Sequence, residues 1–215
     1  MLASDKVSFK YRKNKRQILS DLSITVNDGE FVAVMGESGS GKSTFLAVMA
    51  GILTPDSGRV LFNDTDIYSL KDEEISRIHQ RNICYVPQSN IMLKHQTVLD
   101  NISRPYKDAA PESDLKKRAF ELLEKLGIGD LAENFPYELS GGELKRASLV
   151  RAVLMDPDIV IADEPTTGLD SDTGDKILDF LYEYSNSGKA VLVATHDEHI
   201  EKYASKIVKI VRSKT

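Results

Sequence analysis

The chain has 215 residues, 41% of them hydrophobic and 28% charged, a balance that excludes a disordered chain and leaves room for one large domain rather than two independent ones. Its 28 basic and 33 acidic residues give a net charge of −5, so the chain as a whole offers no positive field to a nucleic acid. The longest apolar runs, Phe31 to Met35 and Ile159 to Ala162, fall far short of the ~20 residues of a membrane-spanning helix, and Met1 to Lys6 carry no secretory pattern.

In chain order, Lys6 to Tyr11, Ile24 to Val26 and Gly58 to Phe62 sit among turn formers such as Asn27-Asp28-Gly29 and Asn63-Asp64. That pattern predicts a small antiparallel sheet on the amino-terminal side. The basic run Lys10 to Arg16 reads as a solvated hairpin loop. Phe31 to Met35, Asn82 to Val86, Ile159 to Ala162 and Ala190 to Ala194 are unbroken apolar segments, as expected of four parallel core strands covered on both faces. Cys84, the one cysteine, reads as a buried strand residue.

Between Val86 and Ile159 the strand pattern stops. A helix is predicted from Glu112 to Leu126, with Leu115, Ala119, Leu122, Leu123 and Leu126 at helical spacing and Gly127 to end it. The expected architecture is α/β: one domain over 1–215, with residues 1–88 and 156–215 forming a mainly parallel core and a flanking antiparallel part, and about 89–155 forming an inserted helical lobe.

Three motifs carry chemistry. Gly36-Glu37-Ser38-Gly39-Ser40-Gly41-Lys42-Ser43, followed by Thr44, fits the phosphate-binding loop pattern and lies between an apolar strand and a helical segment. Glycines let backbone N–H groups turn inward, Lys42 brings a cation to the β and γ phosphates, and Ser43 can hold Mg²⁺. The strand Ile159 to Ala162 runs into Asp163 and Glu164. These suit water-mediated Mg²⁺ binding by Asp163 and polarisation of the attacking water by Glu164. Leu139-Ser140-Gly141-Gly142-Glu143 is a second Gly-rich turn ahead of a helical pattern, which reads either as another anion nest or as a helix cap with Ser140 as the capping residue.

In their order these residues resemble the ABC ATPase family, a likeness that covers nearly the whole chain. Ser140-Gly141-Gly142-Glu143 is similar to its signature motif; Tyr11 stands where the family has an adenine-stacking aromatic, Gln88 at the lid glutamine, Gly168-Leu169-Asp170 at the D-loop, and His196 at the switch histidine. Each alone has a plainer reading: Tyr11 an exposed strand residue, Gln88 a loop residue, Asp170 a helix N-cap, His196 a surface turn. The resemblance implies a P-loop cassette that hydrolyses ATP with Mg²⁺. Glu164, His196 and Gln88 would be its catalytic residues, Ser43, Gln88 and Asp163 its metal ligands, and Tyr11, the loop 36–44, Ser140 to Glu143 and Asp170 its nucleotide contacts.

Tyr68 to Val86 and Ala162 to Thr166 look like the lipoprotein-release, macrolide-export and cell-division branch. That likeness implies a head-to-tail homodimer around two ATP and an FtsX-like membrane permease as partner, with the chain peripheral on the cytoplasmic face and no nucleic acid involved. The cassette would be bare, ending at Thr215. Its stroke would drive export or lipid and peptide extraction, or else activate an extracytoplasmic hydrolase or sensor without transport. Departures from the branch pattern are Glu143 in place of the common Gln, Leu144-Lys145 in place of a polar pair before Arg146, and Thr167-Gly168 in place of Gly-Asn.

Overall fold

The computed structural model describes residues 1–11, 17–89 and 91–211. The chain runs β1 (Leu2–Lys10), β2 (Gln17–Val26), β3 (Phe31–Met35), α1 (Lys42–Met49), β4 (Ser57–Phe62), β5 (Thr65–Asp66), α2 (Asp72–Arg81) and β6 (Ile83–Val86). It continues through α3 (Val98–Ser103), α4 (Glu112–Lys125), α5 (Gly141–Val153), β7 (Ile159–Asp163), α6 (Ser171–Asn186), β8 (Ala190–Thr195) and β9 (Lys206–Lys209).

The core sheet is parallel in the order β6-β7-β8-β3-β9. Its central strands are buried on both faces, and period-two alternation divides their side chains between two cores. Phe31, Ala33 and Met35 of β3, with Val160 and Ala162 of β7, face the core shared with α4, α5 and α6. Val32 and Val34, with Ile159 and Ile161, face the core shared with α1 and the antiparallel strands. The second sheet is antiparallel in the order β2-β1-β4-β5.

Three expectations need correction. The core sheet has five strands rather than four, because Lys206–Lys209 adds an edge strand to β3; with Ile207 and Val208 only half-buried between exposed lysines, it shows no apolar run. The antiparallel strands begin earlier than expected, at Leu2 and Gln17, because a buried Ser4 and the consecutive exposed Ser20 and Asp21, with register shifts along the pair, break the simple apolar alternation. Cys84 lies in β6 but is half-buried, on the flank facing Tyr106 and Arg151. The basic hairpin reading falls largely on residues 12–16, outside the described residues. The predicted helix at 112 is α4, which ends where Gly127 turns left-handed at φ +68°. Among the described residues no helix is long and apolar enough to cross a membrane.

Parallel strands send their carboxyl ends to one edge of the sheet. The segments that follow β3, β6, β7 and β8 therefore meet there, carrying Gly36 to Gly41, Gln88, Glu164 and His196 respectively.

Candidate active site

The loop after β3 owes its path to its glycines. A Cβ on Gly36 would lie 2.4 Å from the Ile210 carbonyl oxygen, so no side chain fits there. Gly41 sits at φ +106°, a left-handed conformation that costs glycine no Cβ clash. It opens α1 with no side-chain cap and no acidic residue in the first turn, so the helix start, with its unpaired N–H groups and positive dipole end, is left to an anion. Phe45, Leu46, Val48 and Met49 are fully buried, which fixes α1 and hence the loop against the sheet.

A cavity of about 580 Å³ opens in front of that helix start, in the size range of small-ligand sites. Tyr11, the loop residues Glu37 to Gly39 and Gly41 to Thr44, Gln88, Glu164 and His196 all line it. The Tyr11 ring meets Phe9 edge to face at 5.0 Å, and its hydroxyl shares a hydrogen bond with Thr44 Oγ1 at 3.1 Å. Lys42 is buried; its Nζ donates to the Gly36 carbonyl at 2.8 Å and lies 3.3 Å from Glu164 Oε1.

Asp163 and Glu164 have opposite electrostatics although they are neighbours. Burial raises the Asp163 carboxyl above its ordinary range, against the pull of the Ser43 hydroxyl, and Oδ1 has no hydrogen-bond partner among the described residues. Such an oxygen beside a serine hydroxyl fits a hard divalent cation, which takes oxygen ligands.

Glu164 is also penalised by burial. However, hydrogen bonds from His196 and Thr167, with the charges of His196 and Lys42, outweigh that and hold its carboxyl below the usual range. His196 Nδ1 stands 3.0 and 2.9 Å from the two oxygens of Glu164; a carboxylate only accepts, so Nδ1 carries the proton. Thr167 Oγ1 donates to Oε2 at 2.8 Å. Glu164 itself sits at φ +49°, left-handed for a non-glycine residue, with its N–H donating to the Ala194 carbonyl at 2.8 Å.

The second Gly-rich turn lies elsewhere. Ser140 and Glu143 cap α5 reciprocally: the Glu143 carboxylate accepts from the Ser140 N–H at 2.7 Å and Ser140 Oγ from the Glu143 N–H at 3.4 Å. The backbone hydrogen bond from Ser140 holds the Glu143 carboxyl below its usual range. Asp170 likewise caps α6, accepting from the Thr173 N–H at 2.9 Å. The chain thus gathers Tyr11, the phosphate loop, Gln88, Glu164 and His196 around one cavity, while Ser140 to Gly142 and Asp170 are not among its walls. Thr167 and Lys145, which both bond the Glu164 turn, were not singled out as site residues from the sequence; Thr167 lies only three residues on, within reach of a turn.

The sequence model of the ABC transporter family matches residues 19–167, more than half of the chain. The chain belongs to the ABC transporter family. It is an ABC-type ATPase cassette. It is 35% identical over 193 residues to an uncharacterised ABC transporter ATP-binding protein of Methanocaldococcus jannaschii, covering 89% of this chain and 86% of that one. It is also 35% identical over 199 residues to the macrolide export ATP-binding/permease protein MacB of Aggregatibacter actinomycetemcomitans, covering 92% of this chain and 31% of that one. The cassette therefore spans about a third of the length of the macrolide-export relatives it matches. Among solved structures, the dimeric ABC transporter cassette MJ0796 aligns with a TM-score of 0.92 at 31% identity, covering 99% of this chain and 95% of that chain. A dimeric post-hydrolysis structure of the same cassette, bound to ADP and phosphate, aligns at 0.91 and 30% identity, covering 100% of this chain and 97% of that chain.

Proposed function

We propose that two copies of this chain pair head to tail around two ATP and drive an FtsX-like membrane permease in export or in extraction of a lipid or peptide. One observation carries the pairing: Ser140-Gly141-Gly142, an N–H-rich helix start, stands outside the cavity that holds the chain's own phosphate loop. A second copy would bring this turn to the open side of the bound phosphates, as head-to-tail symmetry allows. The dimeric relatives and the macrolide-export names support the reading.

In this proposal the α1 start and Lys42 bind the β and γ phosphates, and Tyr11 lies against the adenine side. Asp163, Ser43 and Gln88 would hold Mg²⁺, which supplies charge neutralisation on the phosphates when bound. Glu164 accepts a proton from the attacking water as its oxygen bonds to the γ-phosphorus and the bond to ADP breaks. His196 steadies the carboxylate through its Nδ1–H and, in its doubly protonated form, would donate its Nε2–H to a γ-phosphate oxygen. The low proton affinity of Glu164 keeps it ionised at neutral pH, the form a base needs. Exposed Ile91 and Leu93, beside the helical lobe, would give apolar anchors to a short helix of the permease.

Glu164→Gln tests base and dimer together. Hydrolysis is expected to slow by at least ~10²-fold, the scale of general-base catalysis, with nucleotide binding intact. Size-exclusion chromatography with ATP and Mg²⁺ should show the variant moving to a dimer. A variant that stays monomeric at every concentration would count against the sandwich.

A further inference from the structure

Lys145 lies on α5 four residues beyond Gly141, and its side chain crosses to a segment 19 and 22 residues away in sequence. Its Nζ donates to the Glu164 carbonyl at 3.2 Å and to the Thr167 carbonyl. Among the described residues no carboxylate lies within ion-pair distance of it, so its donors go to main-chain oxygens of the turn after β7. It shares a small crevice with Val86, Gln88, Leu149, Glu164 and Pro165, where burial lowers the proton affinity of the amine against the pull of Glu164.

That turn needs restraint. Glu164 is left-handed at φ +49°, a conformation that a non-glycine residue keeps only where its surroundings over-determine it. Its N–H is tied to Ala194 and its carbonyl accepts from the Thr167 N–H at 3.3 Å. Lys145 is the tether that reaches it from the helix behind the signature turn.

We infer that Lys145 is a positioning residue for hydrolysis, fastening α5 to the turn that aims the Glu164 carboxylate, so that a shift of α5 is felt at the base. The inference rests on Glu164 being that base. Because Lys145 bonds the turn behind Glu164 and does not itself line the cavity of the phosphate loop, its loss acts on turnover more than on nucleotide binding.

The test measures ATP hydrolysis by the purified protein with Lys145→Met, which keeps the apolar stem and removes the donors. Turnover at saturating ATP is expected to fall about tenfold with KM for ATP changed less than about twofold, and Lys145→Arg, which retains donors, should recover most of it. In single-turnover assays, adding Lys145→Met to Glu164→Gln should produce little further loss, since both act through one carboxylate. If Lys145→Met lowers the melting temperature strongly, Lys145→Leu, which also lacks donors, is read in the same assays. Wild-type turnover in the variant that lacks the donors, or losses that multiply fully with Glu164→Gln, would overturn the tether. Full turnover in Glu164→Gln alone would instead overturn the base assignment, a separate and recognisable outcome.

Discussion

Helices α1 and α5 both begin at a Gly-Ser turn, yet their starts are finished differently. At α1 the cap is Gly41, with no side chain to answer the first N–H groups and no acid in the first turn; Lys42 adds a buried cation beside them. At α5 the cap is Ser140, and Glu143 folds back to satisfy the Ser140 N–H at 2.7 Å. The first end is open and positive, built around a cavity of its own. The second is already stabilised by the chain's own side chains and keeps only the Gly141 and Gly142 backbone for an outside anion. Two turns of similar composition are thus separated by what caps them, and glycine content alone does not say which is a site and which is a surface.

Removing the cation at the open end is the largest expected perturbation. Lys42→Ala should abolish hydrolysis through loss of phosphate binding, because no other basic residue belongs to the loop. Turnover near wild type in the purified protein would erase the distinction between the two helix starts.

His196→Ala is expected to act on turnover at the open end while leaving affinity nearly unchanged. Its ring holds Glu164 from 2.9 Å, so kcat should fall by at least about tenfold, roughly 1.4 kcal/mol of transition-state stabilisation. Unaltered kcat at saturating ATP would make it a surface histidine, in line with its exposure.

The smallest effect is expected at the closed end. Ser140→Ala removes a cap of about 1 kcal/mol and should lower the melting temperature by roughly 2–4 °C in a chain of this size. Equilibrium titration of the monomer with a fluorescent ATP analogue should give wild-type affinity, since this turn does not line the chain's own cavity. A weakened monomer would mean that the two starts are not separate after all.

Much of this is legible in the sequence. The three central strands, β3, β7 and β8, announce themselves because burial on both faces leaves nothing polar between Phe31 and Met35 or between Ile159 and Ala162. The phosphate loop was legible because its chemistry needs consecutive residues. β9 was not: an edge strand pairs on one side only, and Lys206 and Lys209 bring no apolar signal. Lys145 was visible only as a departure from a pattern. Its partners are carbonyl oxygens, which every residue has, so no residue type at any spacing points to them. The left-handed backbone of Glu164 was equally hidden, since glutamate does not advertise a positive φ as glycine does.

Gly36 rests on the Ile210 carbonyl, and the Ile210 N–H in turn donates to Met35 at 2.8 Å. The opening residue of the phosphate loop is therefore floored by a segment that leaves the ribosome more than 170 residues later. A nascent chain that has reached Thr195 already contains the loop, both carboxylates and every strand of the core sheet but β9, yet lacks the piece beneath Gly36. The local part of the site is written early and closed late: the packing beneath Gly36 is completed only once synthesis has passed the last strand.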